Sequence, residues 1–335
     1  AALCRRLAAI PGVALGLLDH FDHGLLRLTD ELAQIAPGAE ADVLLCSVRD
    51  QGALTRSFVD FGPDLVIHAA ALTAMTRSSR AGEFTGRIRK SLKWSMVKEA
   101  TGMGMDDAFR RLIECGYQGV EVTIEAVTDV EQWAEASKAS GLLIDGTVGG
   151  RLHNLERGIE LTKALGGDSM LVVVEYDVQR SITAQWREAV ARLKEVAPLA
   201  DRNGVKILLE NVWNTFLISA FDMARFVDEI GSDSVQVQFD IGNMVRWGVP
   251  QHWAEVLGRR IQKLDIKEFD LNVAMKQGLR KGFDVPLGEG SINWPAVRAE
   301  LKKLNYQGWA AAEVKAGGWD HLTDVSRRMD AVLDL

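Results

Sequence analysis

From about residue 88 onward, the chain alternates short apolar, β-branched runs with longer amphipathic ones, and this rhythm limits the fold more than any other feature. Strand-like runs are expected at 91–96, 119–123, 142–148, 170–175, 206–211, 235–240, 261–269 and 309–314. Helices are expected between them, for example at 105–115, 184–202 and 221–230, and a last one at 322–333. Apolar residues recur at helical spacing, as in Phe109, Leu112, Ile113 and Phe221, Ala224, Phe226, Val227. Glycine or asparagine closes many of these segments (Gly116, Gly141, Gly166, Gly204, Gly231, Asn305), as helix C-termini prefer. Eight strand–helix units in about 245 residues match the size of a (β/α)8 TIM barrel, an α/β fold whose site lies at the C-terminal ends of its strands. A doubly wound open sheet also puts ligands at strand ends, but it does not readily gather four consecutive ends around one point.

Four of the later runs end in a carboxylate: Leu209-Glu210, Phe239-Asp240, Leu264-Asp265 and Ala312-Glu313. A charge at the end of a buried strand is costly to desolvate unless something pairs with it. Four such ends in successive units suggest converging oxygen ligands for a hard divalent cation. The alternative for each one singly is a helix cap or a surface ion pair.

Bulk composition narrows the function classes. The content is 47% hydrophobic and 25% charged, ordinary for a globular protein. A net charge of −7 argues against a nucleic-acid partner. Cys4, Cys46 and Cys115 are too sparse for a disulfide framework and read as reduced thiols, which points to a cytoplasmic location. No apolar run approaches the roughly 20 residues that span a bilayer, so no membrane association is expected. The chain begins without methionine, as a processed or partial sequence would. The sequence leaves a homo-oligomer open.

Residues 1–76 have a different organisation: helix at 1–9, strand at 13–19, helix at 21–35, strand at 42–48, helix at 50–61, strand at 64–70. The polar stretch 77–87, with two glycines, is the best linker candidate. The expected domains are therefore 1–76, a linker at 77–87, and a barrel at 88–335.

The barrel segment resembles the sugar phosphate isomerase/epimerase superfamily of xylose isomerase-like barrels. The resemblance rests on Leu209-Glu210-Asn211, Phe239-Asp240-Ile241-Gly242-Asn243, Leu264-Asp265-Ile266-Lys267-Glu268, the loop Leu287-Gly288-Glu289-Gly290-Ser291-Ile292-Asn293-Trp294, and Ala312-Glu313-Val314. It implies a metal site of Glu210, Asp240, Asp265 and Glu313, with Asp265 standing where such proteins usually carry histidine. An all-carboxylate set suits Mn²⁺ or Mg²⁺ rather than Zn²⁺. The resemblance further implies an isomerase or epimerase of a small sugar, sugar phosphate or polyol derivative working through an enediolate. Glu210 and Glu313 would then be the catalytic acid–base pair. An inosose-type dehydratase and a non-catalytic carbohydrate-binding barrel are the alternatives. Substrate contacts are expected from Trp94, Glu121, Asn211, Trp213, Asn243 and Lys267, with core packing or a surface pair with Glu268 as the plainer roles.

Residues 1–76 resemble a truncated Rossmann segment of nucleotide-sugar epimerase/dehydratases, through Leu17-Leu18-Asp19, Ser47-Val48-Arg49-Asp50 and Pro63-Asp64-Leu65-Val66-Ile67-His68-Ala69-Ala70-Ala71. The glycine-rich phosphate loop and the Tyr-x-x-x-Lys pair of that family are missing. NAD binding by this chain is therefore not expected.

Overall fold

The computed structural model describes residues 82–335 except 101, and before them only short stretches, chiefly 14–19 and 40–45. The chain divides into two compact units, Ala1–Ser79 and Arg80–Leu335. In the first unit, β1 (Ala14–Asp19) and β2 (Glu40–Leu45) pair in parallel, with Ala14 opposite Glu40 and Asp19 opposite Leu45. The expected third strand at 64–70 and the helix at 1–9 lie outside the described residues, as does most of the helices at 21–35 and 50–61.

The second unit is a (β/α)8 TIM barrel. Its strands are β3 (Ile88–Leu92), β4 (Gly119–Thr123), β5 (Leu143–Gly150), β6 (Ser169–Val172), β7 (Lys206–Glu210), β8 (Val235–Asp240), β9 (Ile261–Ile266) and β10 (Gly308–Ala312). They run in parallel in the order β3-β10-β9-β8-β7-β6-β5-β4. A single parallel bridge between Lys93 and Glu121 lies at the remaining seam between β3 and β4. Helices alternate with the strands, from Met105–Glu114 to Trp319–Leu333. Several begin on side-chain caps: Asp129, Ser181, Ser219 and Asp270 each accept a hydrogen bond from the first turn of their helix. Among the described residues, no helix is long and apolar enough to cross a membrane.

Two expectations need correction. The first strand ends at Leu92, so Trp94 lies not on it but in the 3₁₀ turn Trp94–Met96 that follows. The expected linker at 77–87 overlaps the barrel unit, which includes residues 82–87. Phe84 is fully buried in the core, its N–H donates to Asp334 O at 3.1 Å, and Arg87 caps its ring at 5.2 Å. An apolar side chain inside a polar run marks where the core begins. Phe84→Ala should therefore destabilise the barrel by about 3–5 kcal/mol. The melting temperature should fall by at least about 6 °C. A thermal melt that does not move would show that this segment is not part of the core.

Candidate metal centre at the barrel mouth

Strand pleating builds the site. On β9 and just beyond it, Lys263, Asp265 and Lys267 stand two residues apart and share one face. On β8, Gln238 and Asp240 do the same. Glu210 ends β7, and Glu313 follows β10, where its N–H donates to Ile266 O at 3.0 Å.

The four expected ligands do converge. Glu210, Asp240, Asp265 and Glu313 each offer one carboxylate oxygen, and these atoms lie within 4.8 Å of one another. Asp240 and Asp265 are completely buried. Backbone and amide groups fix their orientation. Asp240 Oδ1 accepts the Asn243 N–H at 2.8 Å, and the Asn243 side-chain amide donates to Glu210 Oε1 at 3.2 Å. Asn211 clamps the end of β8, accepting the Asp240 N–H at 2.9 Å and donating to Asp240 O at 2.7 Å. Asn211 and Asn243 therefore position Glu210 and Asp240.

Two ammonium groups, one of them unforeseen, lie among the carboxylates. Lys267 Nζ lies 2.7 Å from Asp240 Oδ2 and 3.1 Å from Glu313 Oε1. It is not paired with Glu268, which instead holds the loop from Leu287 to Trp294. Glu268 accepts from the Gly288 N–H at 2.8 Å and the Trp294 indole at 2.9 Å, and a Cβ at Gly290 would sit 2.5 Å from its Oε1. Lys93 Nζ lies 2.9 Å from Asp265 Oδ1, 2.7 Å from Glu121 Oε2 and 3.7 Å from Glu313 Oε2. Sequence reasoning missed Lys93 because a lysine near a strand end reads as solvated.

Glu121 does not offer the free carboxylate expected of a substrate contact. It is buried, and its Oε1 lies 2.7 Å from Lys263 Nζ, which in turn lies 2.6 Å from Asp145 Oδ2. Gln238 donates to both Glu121 and Asp265, and Ser91 donates to Asp145. This charged layer continues from the four-carboxylate cluster into the barrel interior.

The aromatic residues are largely engaged with one another. The Trp94 ring meets Phe109 and Trp133 edge-on at 5.7 and 5.2 Å. Trp213 donates its indole N–H to Asn243 O at 2.8 Å and packs on Phe269 and Phe283, with Arg246 over its ring at 4.7 Å. Phe283 also lies 5.5 Å from Lys267 Nζ, which sets the Trp213–Phe283 pair beside the carboxylates. Trp94 has no comparable link to them.

The electrostatics are strongly divided. Burial, reinforced by Glu313, Asp265 and Asp240, pushes Glu210 well above the usual carboxylate range. Burial also acts on Glu313, but Lys267 and Lys93 outweigh it and hold that carboxyl below the usual range. Asp265 is pushed up to about 7 by burial, against the pull of Lys93. Lys93 loses some basicity to burial, but the surrounding carboxylates more than restore it.

The donor set fits a hard dication. All four ligands are oxygens, Asp265 Oδ2 is buried without a hydrogen-bond partner, and four carboxylates with two ammoniums leave a formal −2. Glu210, Asp240, Asp265 and Glu313 are the residues that could hold the ion.

Comparison with known proteins places the chain. Residues 145–331 match the model of the xylose isomerase-like TIM barrel family. The inosose dehydratase of Histophilus somni is 28% identical over 148 residues, covering 39% of this chain and 48% of that protein. The inosose dehydratase of Geobacillus kaustophilus is 23% identical over 184 residues, covering 49% and 58%. The chain thus spans about half the length of the curated relatives it matches. Among solved structures, the 3-keto-D-glucoside 4-epimerase of E. coli superimposes with a TM-score of 0.61 at 18% identity, covering 73% of this chain and 99% of that one. A D-allulose 3-epimerase from Methylomonas sp. gives 0.60 at 16% identity, covering 74% and 98%. At such identities the structural likeness speaks for the fold alone, while the family match extends over more than half of the sequence. The chain belongs to the xylose isomerase-like TIM barrel family.

Proposed function

We propose that the barrel is a divalent-metal-dependent isomerase or epimerase of a small sugar, sugar phosphate or polyol derivative. One observation carries this reading: carboxylates from four successive strands meet at the C-terminal mouth, with one oxygen of each within 4.8 Å of the others. A bound Mn²⁺ or Mg²⁺ would polarise a substrate carbonyl and offset charge developing on its oxygen. Glu210 and Glu313 would take a proton from the adjacent carbon and return one to it. Lys267, 3.1 Å from Glu313, would fix that carboxylate and keep it ionised. Trp213 and Phe283 offer an apolar wall on the Lys267 side.

A second reading, dehydration of a keto-inositol, is favoured by the inosose dehydratases among the relatives. It shares the proton-abstraction step and differs in the group that leaves next.

The test is a panel of ketoses, ketose phosphates and keto-inositols incubated with the chain and Mn²⁺ in deuterium oxide. Deuterium should enter one substrate at the carbon beside its carbonyl, and chelation should stop it. Epimer or aldose formation supports the first reading and loss of water the second. No incorporation across the panel sinks both.

A further inference from the structure

Asp265 differs from the other cluster carboxylates in what sits on it. Its Oδ1 receives the Lys93 ammonium at 2.9 Å and the Gln238 amide at 2.8 Å, while its Oδ2 is buried and accepts no hydrogen bond. One oxygen is therefore committed and the other free.

Lys93 is itself held on the far side. Its ammonium lies 2.7 Å from Glu121 Oε2, and the Lys93 and Glu121 backbones form the parallel bridge at the barrel seam. Glu121 is tied in turn to Lys263, and Lys263 to Asp145. Every side chain in this row is less than a tenth exposed. A buried lysine anchored in this way cannot swing into solvent when an ion arrives. Its charge is a permanent part of the site, whereas a mobile surface lysine would be screened or displaced.

We propose that Lys93 is a fixed counter-charge for Asp265, so that Asp265 meets a bound dication as an electrically neutral oxygen donor through its free Oδ2. This rests on the metal-dependent reading above. The ion's charge is then balanced by Glu210, Asp240 and Glu313 with the Lys267 ammonium among them, a formal −2, and Lys93 and Asp265 act as one unit in setting affinity.

Two residues that act as a unit show non-additive effects in a double-mutant cycle. The test is calorimetric titration of the full chain with Mn²⁺ alone, comparing the unaltered protein with Asp265→Asn, Lys93→Gln and the double variant, each checked by thermal melting. Asp265→Asn removes the carboxylate charge while the Lys93 ammonium stays beside the ion, and should weaken binding about a hundredfold or more. Lys93→Gln keeps a hydrogen-bond donor but removes the positive charge, and should tighten binding about tenfold. The double variant should return to within about tenfold of the unaltered protein. If Lys93→Gln alone fails to fold, the two Asp265→Asn proteins decide the matter. Equal weakening in both overturns the proposal, because the lysine charge would then be irrelevant to the ion. No Mn²⁺ binding by the unaltered protein overturns the metal reading and this inference with it.

Discussion

Glu313→Gln should lower the rate of solvent-deuterium incorporation by at least about a thousandfold while leaving the barrel's melting temperature nearly unchanged. Glutamine keeps the size of the side chain but can neither accept a proton nor carry charge. Glu313 is held ionised by Lys267 at 3.1 Å and Lys93 at 3.7 Å, the condition a general base requires. Glu210, across the cluster, is pushed the other way by burial and by three neighbouring carboxylates. Two carboxyl groups whose surroundings drive their proton affinities apart make a natural acid–base pair. A bound dication lowers both, but it does not remove the lysines that distinguish them. Glu210→Gln should therefore also lose about a thousandfold, through the opposite proton transfer. The structural cost is small because glutamine keeps the size of the side chain and Glu313 is about one-third exposed. Incorporation that survives either substitution within about tenfold would remove that residue from the chemistry.

The barrel was legible because its evidence is local. Strand–helix rhythm and closing glycines are set by residues near one another in sequence, and the four converging carboxylates stand out as charges where apolar residues belong. The strand boundaries were less legible. The expected first strand at 91–96 includes a turn, since side-chain type does not say where strand pairing ends, and Trp94 was displaced with it. The pairing of the interior charges was the least legible feature. Lys93 and Asp265 are 172 residues apart, and their contact exists only because β3 and β9 both flank β10 in the closed sheet. A lysine in a strand ordinarily reads as solvated, because burying it alone is prohibitive. One signal was present: Lys263, Asp265 and Lys267 alternate with Leu264 and Ile266, so a strand that turns Asp265 inward must turn both lysines inward too.

The same alternation places Lys263 between two buried carboxylates of the interior. Lys263→Met should destabilise the barrel by about 3–5 kcal/mol, because it removes one partner of a buried ionic group and leaves the others. That corresponds to a melting temperature lower by about 6 °C or more. Lys263 Nζ lies 2.7 Å from Glu121 Oε1 and 2.6 Å from Asp145 Oδ2, and all three side chains are almost wholly buried. Burial drives Glu121 upward, but Lys263 and Lys93 together bring it down to about 2. Asp145 is pushed up to about 6, because burial and the Glu121 charge outweigh Lys263. Without Lys263 both carboxyls lose their attraction and rise. A carboxyl whose folded value exceeds its unfolded value of about 4 costs stability when ionised. That cost is complete above the folded value and disappears as the pH falls toward the unfolded one. The deficit of Lys263→Met relative to the unaltered protein should therefore be largest near pH 8 and shrink toward pH 5. Loss of packing alone would give the same deficit at both pH values, so melts at pH 8 and pH 5 separate the two causes. A pH-independent deficit would mean that the interior row of charges contributes shape rather than electrostatics.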